Sequence, residues 1–548
     1  MERVEVCVRD GKLIGIVEEG IYGDRYVAFR GIPYAKPPVG ELRFKDPVPP
    51  EPWSGSRDAS KYGNVAVQIN VDKKSEIIGD EDCLYLNVFT TDIKSSEKRP
   101  VMVWIHGGGF FFGSGDSSFY SPDYIVEKDV LLITLNYRLG VLGFLNLYNE
   151  VATGNQGLKD VILALQWVQK NISEFGGDSE NVTIFGESAG GAIVHYLTLS
   201  PLSEGLFHKA ISQSGTITCP WAFTDPESCS TNKGFLLAKK LGKMTEDPKD
   251  VYEFLKMIDA KKLVETEKFL ATEEERRQFL LIFTPTLDHE SSNPVFSEDL
   301  MTFIHRGVKV PYLLGFTSCE GSYLLKSNDY GCISKEALSQ VDSDFKLAIY
   351  PRVLAILPKI PITLYQLRSL YFGDKNISEE SVANYINLLS DIFFFRGIMQ
   401  TADIQMNNDN SGKTYLYQFS YESETSLMKK ILNIDFPGVS HSEELCYLFY
   451  PDIIKELGLS VPAPDSKDYK MISRLTQMWT DFAKTGNPTP AITDLTPIKW
   501  TPLQRAGDVY DYLDIDVKPR MKTFRKGEQR WEWENMKNIS YDHSFYKI

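Results

Sequence analysis

The chain has 548 residues, of which 43% are hydrophobic and 24% are charged, and its formal net charge at pH 7 is −15. This much apolar material can bury a large core and excludes an intrinsically disordered protein. The acidic excess argues against proteins that bind nucleic acid or anionic membranes, because like charges repel. No apolar stretch approaches the roughly 18 residues that a membrane-spanning helix needs.

The N-terminal segment predicts two short strands that turn around Asp10-Gly11, and it lacks the basic and apolar regions of a signal peptide. Seven scattered cysteines, an odd number, argue against a disulfide framework. Cys219 and Cys229 are close enough in sequence to close a small loop if oxidised. We therefore expect a cytoplasmic protein, or a secreted one if a signal peptide has been removed.

Short apolar runs alternate with helical patterns in the first half of the chain. Val101–Ile105 and Val130–Leu135 predict buried strands, and Leu158–Lys170 predicts a helix. Two further strands are predicted at Val182–Phe185 and Lys209–Ser214. This alternation is typical of an α/β protein with a mostly parallel central sheet flanked by helices.

The second half adds helical segments to this pattern. Residues 246–281 are charged and helical in their apolar spacing, and residues 334–400 form a second helical region. Strand patterns return at Pro311–Phe316 and Thr414–Tyr421. With no repeat and no convincing linker, we expect residues 1–548 to form one α/β domain whose helical insertions cover a pocket.

A candidate nucleophile lies in Gly186-Glu187-Ser188-Ala189-Gly190, directly after the predicted strand Val182–Phe185. A helical pattern begins at Gly191, so the five residues form a strand–turn–helix junction. Such a nucleophile elbow exposes the serine hydroxyl at the end of the sheet, and glycines on both sides leave room for the sharp turn. The context predicts that Ser188 is a catalytic nucleophile and not an ordinary turn serine.

A second glycine-rich segment, His106–Phe110 (HGGGF), follows the predicted strand Val101–Ile105. Consecutive glycines let backbone N–H groups converge on a developing oxyanion. Together with the N–H after the nucleophile, this loop is the arrangement of α/β-hydrolases. The predicted donors are the N–H groups of Gly108, Gly109 and Ala189.

The general base is sought among seven histidines: His106, His195, His208, His289, His305, His441 and His543. The α/β-hydrolase fold places the triad in the order serine, acid, histidine. His441 fits best, because it lies in a loop after the strand Thr414–Tyr421 and leaves room for an acid-bearing strand before it. Glu320, after Pro311–Phe316, fits the acid.

Spacing alone leaves the acid undecided. Asp288, Glu290, Glu443 and Glu444 also carry carboxyl groups in the part of the chain where the acid or its neighbours are sought. The acid of a triad orients the imidazole and stabilises the imidazolium.

With these residues in place, the chain resembles the type-B carboxylesterase and cholinesterase family, and within it the insect alpha-esterases. The resemblance covers nearly the whole chain, and its motifs follow the family's order. They are FRGIPYAKPPVGELRF (Phe29–Phe44), EDCLYLNVF (Glu81–Phe89), HGGGF, NYRLGVLGFL (Asn136–Leu145), GNQGLKD (Gly154–Asp160), FGESAGG, SQSG, the CEGS that contains Glu320 and the GVSH that contains His441.

The resemblance implies a serine carboxylesterase that acts through an acyl-enzyme on small xenobiotic, lipid or pheromone esters. It selects Glu320 as the acid and implies structural ion pairs of Arg43 with Glu81 and of Arg138 with Asp160. An esterase of this kind needs no cofactor or metal. Insect relatives act as detoxifying esterases linked to insecticide resistance, so organophosphates are expected to phosphorylate the serine and to be sequestered.

Departures from the family pattern narrow the range of expected substrates. Choline-ester hydrolases carry a tryptophan in the stretch that reads Val71-Asp72-Lys73-Lys74-Ser75 here, where it binds quaternary ammonium by a cation–π contact. Two like-charged lysines and no aromatic residue argue against choline esters. Juvenile hormone esterases typically have Gln where Glu187 stands, which argues against that activity.

Pocket residues are predicted from the same resemblance. Trp221 matches the acyl-pocket region, and Phe394, within Phe393–Phe395, lines the gorge; a plain core role stays open for both. A bulky acyl wall would favour short acyl chains.

The alternative functions are a lipase-like or juvenile-hormone-type esterase, or a non-catalytic binding or adhesion homologue, which would have lost a triad residue. The sequence does not determine the oligomeric state.

Overall fold

The structure is a computed structural model, and it describes residues 2–70, 73, 76–95, 97–224, 231–326, 334–456 and 458–533. Cys229, Cys332 and four residues of the 71–75 stretch lie outside the described residues.

A large twisted sheet runs through the described part of the chain. Its strands, with two small separate pairs (β5–β6 and β10–β11), are β1 (Arg3–Val8), β2 (Gly11–Glu19), β3 (Arg25–Pro33), β4 (Ser56–Asp58), β5 (Gln68–Ile69), β6 (Ile77–Ile78), β7 (Tyr85–Thr90), β8 (Arg99–Ile105), β9 (Leu131–Leu135), β10 (Asn146–Asn149), β11 (Ala152–Thr153), β12 (Gly177–Glu187), β13 (Lys209–Gln213), β14 (Tyr312–Thr317), β15 (Thr414–Phe419), β16 (Val509–Ile515) and β17 (Arg520–Arg525).

The sheet has the order β1-β2-β3-β7-β9-β8-β12-β13-β14-β15-β16-β17, with β4 beside β2. Neighbouring strands from β9 to β16 are parallel, whereas the strands at both edges pair antiparallel. Parallel strands need apolar side chains on both faces because helices cover both sides. The fully buried and mostly apolar β9 and β14 meet this requirement.

Helices cover the two faces of the sheet. They are α1 (Ser117–Tyr120), α2 (Asp123–Val126), α3 (Gly140–Phe144), α4 (Gln156–Asn171), α5 (Ala189–Leu199), α6 (Lys233–Lys240), α7 (Pro248–Met257), α8 (Ala260–Glu267), α9 (Glu273–Arg277), α10 (Leu300–His305), α11 (Ser322–Lys326), α12 (Lys335–Ser343), α13 (Pro351–Ile356), α14 (Leu364–Phe372), α15 (Val382–Ser390), α16 (Arg396–Asn407), α17 (Leu427–Leu432), α18 (Ile453–Glu456) and α19 (Lys467–Thr485).

The strands and helices predicted from the apolar patterns are confirmed, with boundaries shifted by a few residues. The N-terminal pair forms the antiparallel hairpin β1–β2, in which Val8 pairs with Gly11. The charged segment 246–281 consists of three short helices and not one long one. Each of these begins at a residue whose side chain caps the helix: Asp247, Asp259 and Thr272.

The two implied ion pairs are formed and hold loops against the core. Arg43 Nε donates to Glu81 Oε1 at 2.6 Å, and Arg138 Nη2 donates to Asp160 Oδ1 at 2.6 Å. The Arg138–Asp160 pair is fully buried. Both ion pairs are structural, because each charged group is neutralised by its partner.

Among the described residues, no helix is both long enough and apolar enough to span a bilayer.

Candidate active site

Ser188 lies at the turn between β12 and α5, at the carboxyl end of a central strand. Its backbone has φ of 57° and ψ of −124°, a region that residues with a side chain rarely occupy. Its N–H donates to Gln213 O at 2.8 Å, which ties the turn to the end of β13. Ser188 is partly exposed, whereas the residues on either side of it from 182 to 190 are buried. Backbone strain at Ser188 therefore accompanies the exposure of this one side chain.

Glycines around the turn have no room for a side chain. A Cβ at Gly215 would lie 2.0 Å from Ser188 O, and a Cβ at Gly190 would lie 2.0 Å from Ile105 O. The ends of β8 and β13 thus press against the turn from both sides. This close packing explains why the GESAG and SQSG motifs contain these glycines.

The predicted oxyanion loop lies against the same turn. Gly108 and Gly109 have φ of 102° and 59°, so both use backbone conformations that favour glycine. The loop is closed by the N–H groups of Phe111 and Phe112, which donate to Gly108 O at 3.1 Å. A Cβ at Gly107 would lie only 3.2 Å from Ser188 Cβ.

The three predicted oxyanion donors are available. Ala189 is the first residue of α5, and the first N–H groups of a helix have no partner within the helix. Within the described residues, the N–H groups of Gly108, Gly109 and Ala189 donate to no protein acceptor. Unpaired N–H groups beside an exposed serine can hold an anionic oxygen.

His441 and Glu320 meet at this edge of the sheet. Glu320 follows β14, His441 follows β15, and His441 Nδ1 lies 2.5 Å from Glu320 Oε2. Both side chains are almost completely buried. This contact fixes which ring nitrogen points towards the carboxylate and which points away from it.

The other oxygen of Glu320 is also held. Glu320 Oε1 accepts from Ser214 Oγ at 2.6 Å and from Thr317 N–H at 2.8 Å. Ser214 follows β13, so three neighbouring strands contribute to one carboxylate. Ser214 was not among the predicted site residues, although the SQSG motif contains it.

Glu187 forms a second acidic contact with His441, which the sequence analysis missed. Glu187 Oε1 lies 3.1 Å from His441 Nε2 and accepts from Ser442 Oγ at 2.7 Å. Burial raises the pKa of Glu187, an effect that the nearby imidazole opposes. Burial also lowers the pKa of His441, but the carboxylates of Glu187 and Glu320 outweigh it and raise that pKa to about 9.

Among the described residues, none of the four rival carboxyl groups forms a hydrogen bond or ion pair with His441, although Glu444 lies near enough to raise its pKa. Asp288 is buried and accepts from the N–H groups of Val295 and Phe296, and Glu290 is exposed. Glu443 accepts from Ser426, and Glu444 accepts from the side chain of Gln213. Burial raises the pKa of Glu443 to about 7; burial and two neighbouring carboxylates raise that of Glu444 to about 8.

Ser188 and His441 lie at the same site without a completed bond between them. Among the described residues, no hydrogen bond joins Ser188 Oγ to His441, whose Nε2 faces Glu187. Hydrogen bonds of catalytic residues often tighten only when a substrate binds.

Aromatic side chains form one wall of the site. The Phe394 ring lies 4.6 Å from the His441 ring and 6.1 Å from the Trp221 ring, measured between centroids. The Trp221 indole N–H donates to Phe393 O at 2.7 Å. Trp221 and Phe394 are both buried, and they continue the wall from the imidazole towards the oxyanion loop through Phe110, 6.2 Å from Trp221.

A local irregularity of the helix positions Phe394. Residues Asp391–Phe395 form a π-helical turn between α15 and α16. Such turns carry one extra residue and often occur at functional sites. Asp391 anchors the turn, because its Oδ2 accepts from Arg530 Nε and from Tyr371 Oη, both at 2.6 Å.

In the part of the chain that the structure describes, no three His, Cys, Asp or Glu side chains lie close enough to hold a metal ion.

Comparisons with known proteins agree with this architecture. A solved structure of juvenile hormone esterase from Manduca sexta, with OTFP covalently attached, superposes with a TM-score of 0.84 at 30% identity, covering 97% of this chain and 98% of that chain. Juvenile hormone esterase from Tribolium castaneum is 37% identical over 88% of this chain and 84% of its own length. Esterase E4 from Myzus persicae is 32% identical over 96% and 93%.

A profile of the Carboxylesterase family matches residues 2–533. The central sheet, the elbow at its carboxyl edge and these relatives together show an α/β-hydrolase fold. The chain belongs to the Carboxylesterase family and is a carboxylic ester hydrolase.

Proposed function

We propose that Ser188, His441 and Glu320 form the catalytic triad of a serine carboxylesterase that hydrolyses small esters through an acyl-enzyme. The buried 2.5 Å contact between His441 and Glu320, beside the strained Ser188, is the observation that carries the proposal.

We also propose that the chain acts as one catalytic domain, and that it resides in a reducing compartment such as the cytoplasm. The free thiols of Cys7, Cys83, Cys219, Cys319 and Cys446 support this compartment.

In the first step, Ser188 Oγ attacks the ester carbonyl carbon, and His441 Nε2 takes the hydroxyl proton. Glu320 stabilises the resulting imidazolium, since it is an anion held against Nδ1. The carbonyl oxygen becomes an oxyanion that accepts hydrogen bonds from Gly108, Gly109 and Ala189. Loss of one such donor typically lowers turnover by about 10²–10³-fold.

In the second step, His441 returns its proton to the leaving alcohol as the carbon–oxygen bond breaks, which leaves an acyl ester on Ser188. The same histidine then removes a proton from water, and the hydroxide attacks the acyl carbon. Collapse of this intermediate releases the carboxylic acid and restores the serine hydroxyl. Trp221 and Phe394 contact the acyl group and favour short chains.

Organophosphates are proposed inhibitors of the same serine. A phosphoryl centre would react with Ser188 as the ester carbonyl does, with loss of its leaving group. The three oxyanion donors are all backbone N–H groups on residues without an acidic or basic side chain. Positions 107–109 of the loop are all glycine, so none of them carries an acidic side chain that could activate water against the phosphorylated serine, which supports sequestration over turnover.

The experiment compares wild type with Ser188→Ala on p-nitrophenyl acetate and p-nitrophenyl palmitate, with a paraoxon titration of both proteins. We expect rapid hydrolysis of the acetate, one phosphoryl group bound per wild-type chain, and neither in the variant. Ser173→Ala, which changes an exposed serine away from the site, is the matched control. A folded wild type that neither hydrolyses acetate nor reacts with paraoxon would favour a binding homologue, and a preference for palmitate would favour a lipase.

A juvenile-hormone-type esterase is the second candidate, because juvenile hormone esterases of two insects are among the relatives. Glu187 argues against it, since the resemblance associates Gln with that activity. Hydrolysis of a juvenile hormone measured beside p-nitrophenyl acetate decides between them. A kcat/KM for the hormone far above that for the acetate would establish the second candidate.

A further inference from the structure

A cavity of about 260 Å³ opens beside the proposed oxyanion loop. The backbone of Gly109 forms part of its wall, and most of the remaining lining is apolar, including Val67, Ile69, Val264 and Phe283. Since Gly109 N–H is a proposed donor to the ester carbonyl, one arm of a bound ester lies next to this cavity. The cavity is thus suited to an apolar arm of the substrate.

One carboxyl group interrupts this apolar lining. Glu267, at the end of α8, lies over the backbone of Gly140, where an added Cβ would approach its Oε2 within 2.6 Å. Oε2 accepts from Val141 N–H at 3.2 Å. Oε1 has no hydrogen-bond partner among the described residues, yet it is not sealed off from solvent. The described residues therefore leave Oε1 without a polar partner.

Charges around the cavity exclude ionic partners for Glu267. Lys268 and Arg276 also line the cavity, so an ammonium group would meet two cations. A carboxylate or phosphate at Oε1 would be repelled by the ionised form of Glu267, although the two cations would attract it elsewhere in the cavity. Burial raises the pKa of Glu267 to about 7, so both the neutral and the ionised form are present near neutral pH. A hydroxyl group can pair with either form, because it donates to a carboxylate and accepts from a carboxylic acid.

We propose that Glu267 is a specificity-determining residue that selects esters whose apolar arm carries a hydroxyl group. The inference rests on the proposed function, because it places the ester carbonyl at Gly109. The hydroxyl pairs with Glu267 Oε1, and the carbon chain occupies the apolar part of the cavity. An arm without a hydroxyl group leaves that oxygen desolvated and unpaired, which is unfavourable.

Glu267 also has a structural contact, and the test must separate the two roles. Its bond to Val141 N–H stabilises the start of α3, so removal of the carboxyl group disturbs that helix for every substrate. The ratio of two substrates that differ only in the hydroxyl group cancels this common effect. Glu267→Leu removes both functions of the carboxyl group, whereas Glu267→Gln keeps an acceptor for Val141 and a polar group for the hydroxyl.

The experiment measures kcat/KM for 6-hydroxyhexyl acetate against hexyl acetate, and for p-nitrophenyl 6-hydroxyhexanoate against the hexanoate. We expect that Glu267→Leu lowers the hydroxyl-to-alkyl ratio about tenfold for one pair, the effect of one hydrogen bond. Glu267→Gln should keep most of the ratio. Glu265→Gln, on the exposed face of α8, should leave it unchanged.

The possible failures are distinguishable. Equal ratios for wild type and Glu267→Leu on both pairs, in proteins that hydrolyse p-nitrophenyl acetate, would overturn the inference alone. A ratio that falls equally in Glu267→Gln and Glu265→Gln would also overturn it, because the effect would not be specific to the cavity. A wild type inactive on p-nitrophenyl acetate would overturn the proposed function, and the inference would fall with it.

Discussion

The carboxyl edge of the sheet and the helical region that surrounds it are built in different ways. At the edge, Ser188 directly follows β12, Glu320 lies in the turn after β14, and His441 lies in the segment between α17 and α18. Glycines without room for a Cβ surround the turn at Ser188. The helical region, residues 233–277 and 335–407, consists mainly of short helices with exposed charges. Its contributions to the site are single side chains, such as Phe394 and Glu267.

We infer from this difference that the edge of the sheet carries out the reaction and that the helical region determines which ester is preferred. Close packing at the edge leaves almost no freedom to the groups that we propose to make and break bonds. Short capped helices tolerate changes of sequence and length more easily, so they are suited to shaping the pocket. Substitutions at the edge should therefore abolish the reaction, whereas substitutions in the helical region should change which ester is preferred.

The largest expected effect is at the edge. Glu320→Gln keeps the shape of the side chain but removes the anion beside His441 Nδ1, so kcat should fall about 10⁴-fold. Glu443→Gln, another buried carboxyl group near His441 in sequence, should retain most activity. Steady-state kinetics with p-nitrophenyl acetate measure both. Equal losses in the two variants would contradict the assignment of the acid.

The second prediction concerns the ion pair between Asp391 and Arg530, which supports the aromatic wall. Arg530→Ala leaves the buried Asp391 carboxylate without its cationic partner, so the free energy of unfolding should fall by about 2 kcal/mol. Urea unfolding measures it, with the exposed Arg520→Ala as a control. A stability equal to that of wild type would show that the π-helical turn does not depend on this pair.

The third effect is on selectivity in the helical region. Phe394→Leu shortens the side chain that contacts His441, so kcat/KM for p-nitrophenyl octanoate should rise about tenfold relative to the acetate. Phe393→Leu is the matched control, because the Phe393 ring packs against Phe279 and Tyr350 and not against His441. If both variants change the ratio alike, Phe394 is a core residue without a special part in acyl selection.

The smallest effect is a shift in the pH profile. His441 acts as a base only when it is neutral, so kcat/KM rises with pH as the imidazolium loses its proton. Glu187→Gln removes one of the three carboxylates, Glu187, Glu320 and Glu444, that raise the pKa of His441 to about 9, so the acid limb should move to lower pH. Profiles of wild type and Glu187→Gln between pH 5 and 10 test this. An acid limb that stays in place would mean that Glu187 does not influence the base.

Short motifs were sufficient to predict the parts of the site that depend on the backbone. The elbow and the oxyanion loop are local, because strand, glycines and helix occur within a few residues. The acid was harder, since 121 residues separate Glu320 from His441. Spacing could not choose it from four other carboxylates, and the family resemblance was needed.

Features that depend on distant side chains were not predicted. Glu187 meets Ser442 from 255 positions away, and no periodicity encodes such a contact. The π-helical turn at Asp391–Phe395 reads as an ordinary helix, because its extra residue leaves no composition signal. The carboxyl group of Glu267 in an apolar cavity was likewise hidden within a charged, helical stretch.

The anchor between Asp391 and Arg530 has a consequence for the biosynthesis of the protein. The ribosome adds Arg530 139 residues after Asp391. At about 5–20 residues per second, the carboxylate waits roughly 7–28 s for its guanidinium partner. The aromatic wall that this pair supports therefore takes its final shape only after residue 530 has been added, so a nascent chain that already contains Ser188, Glu320 and His441 still lacks a finished pocket.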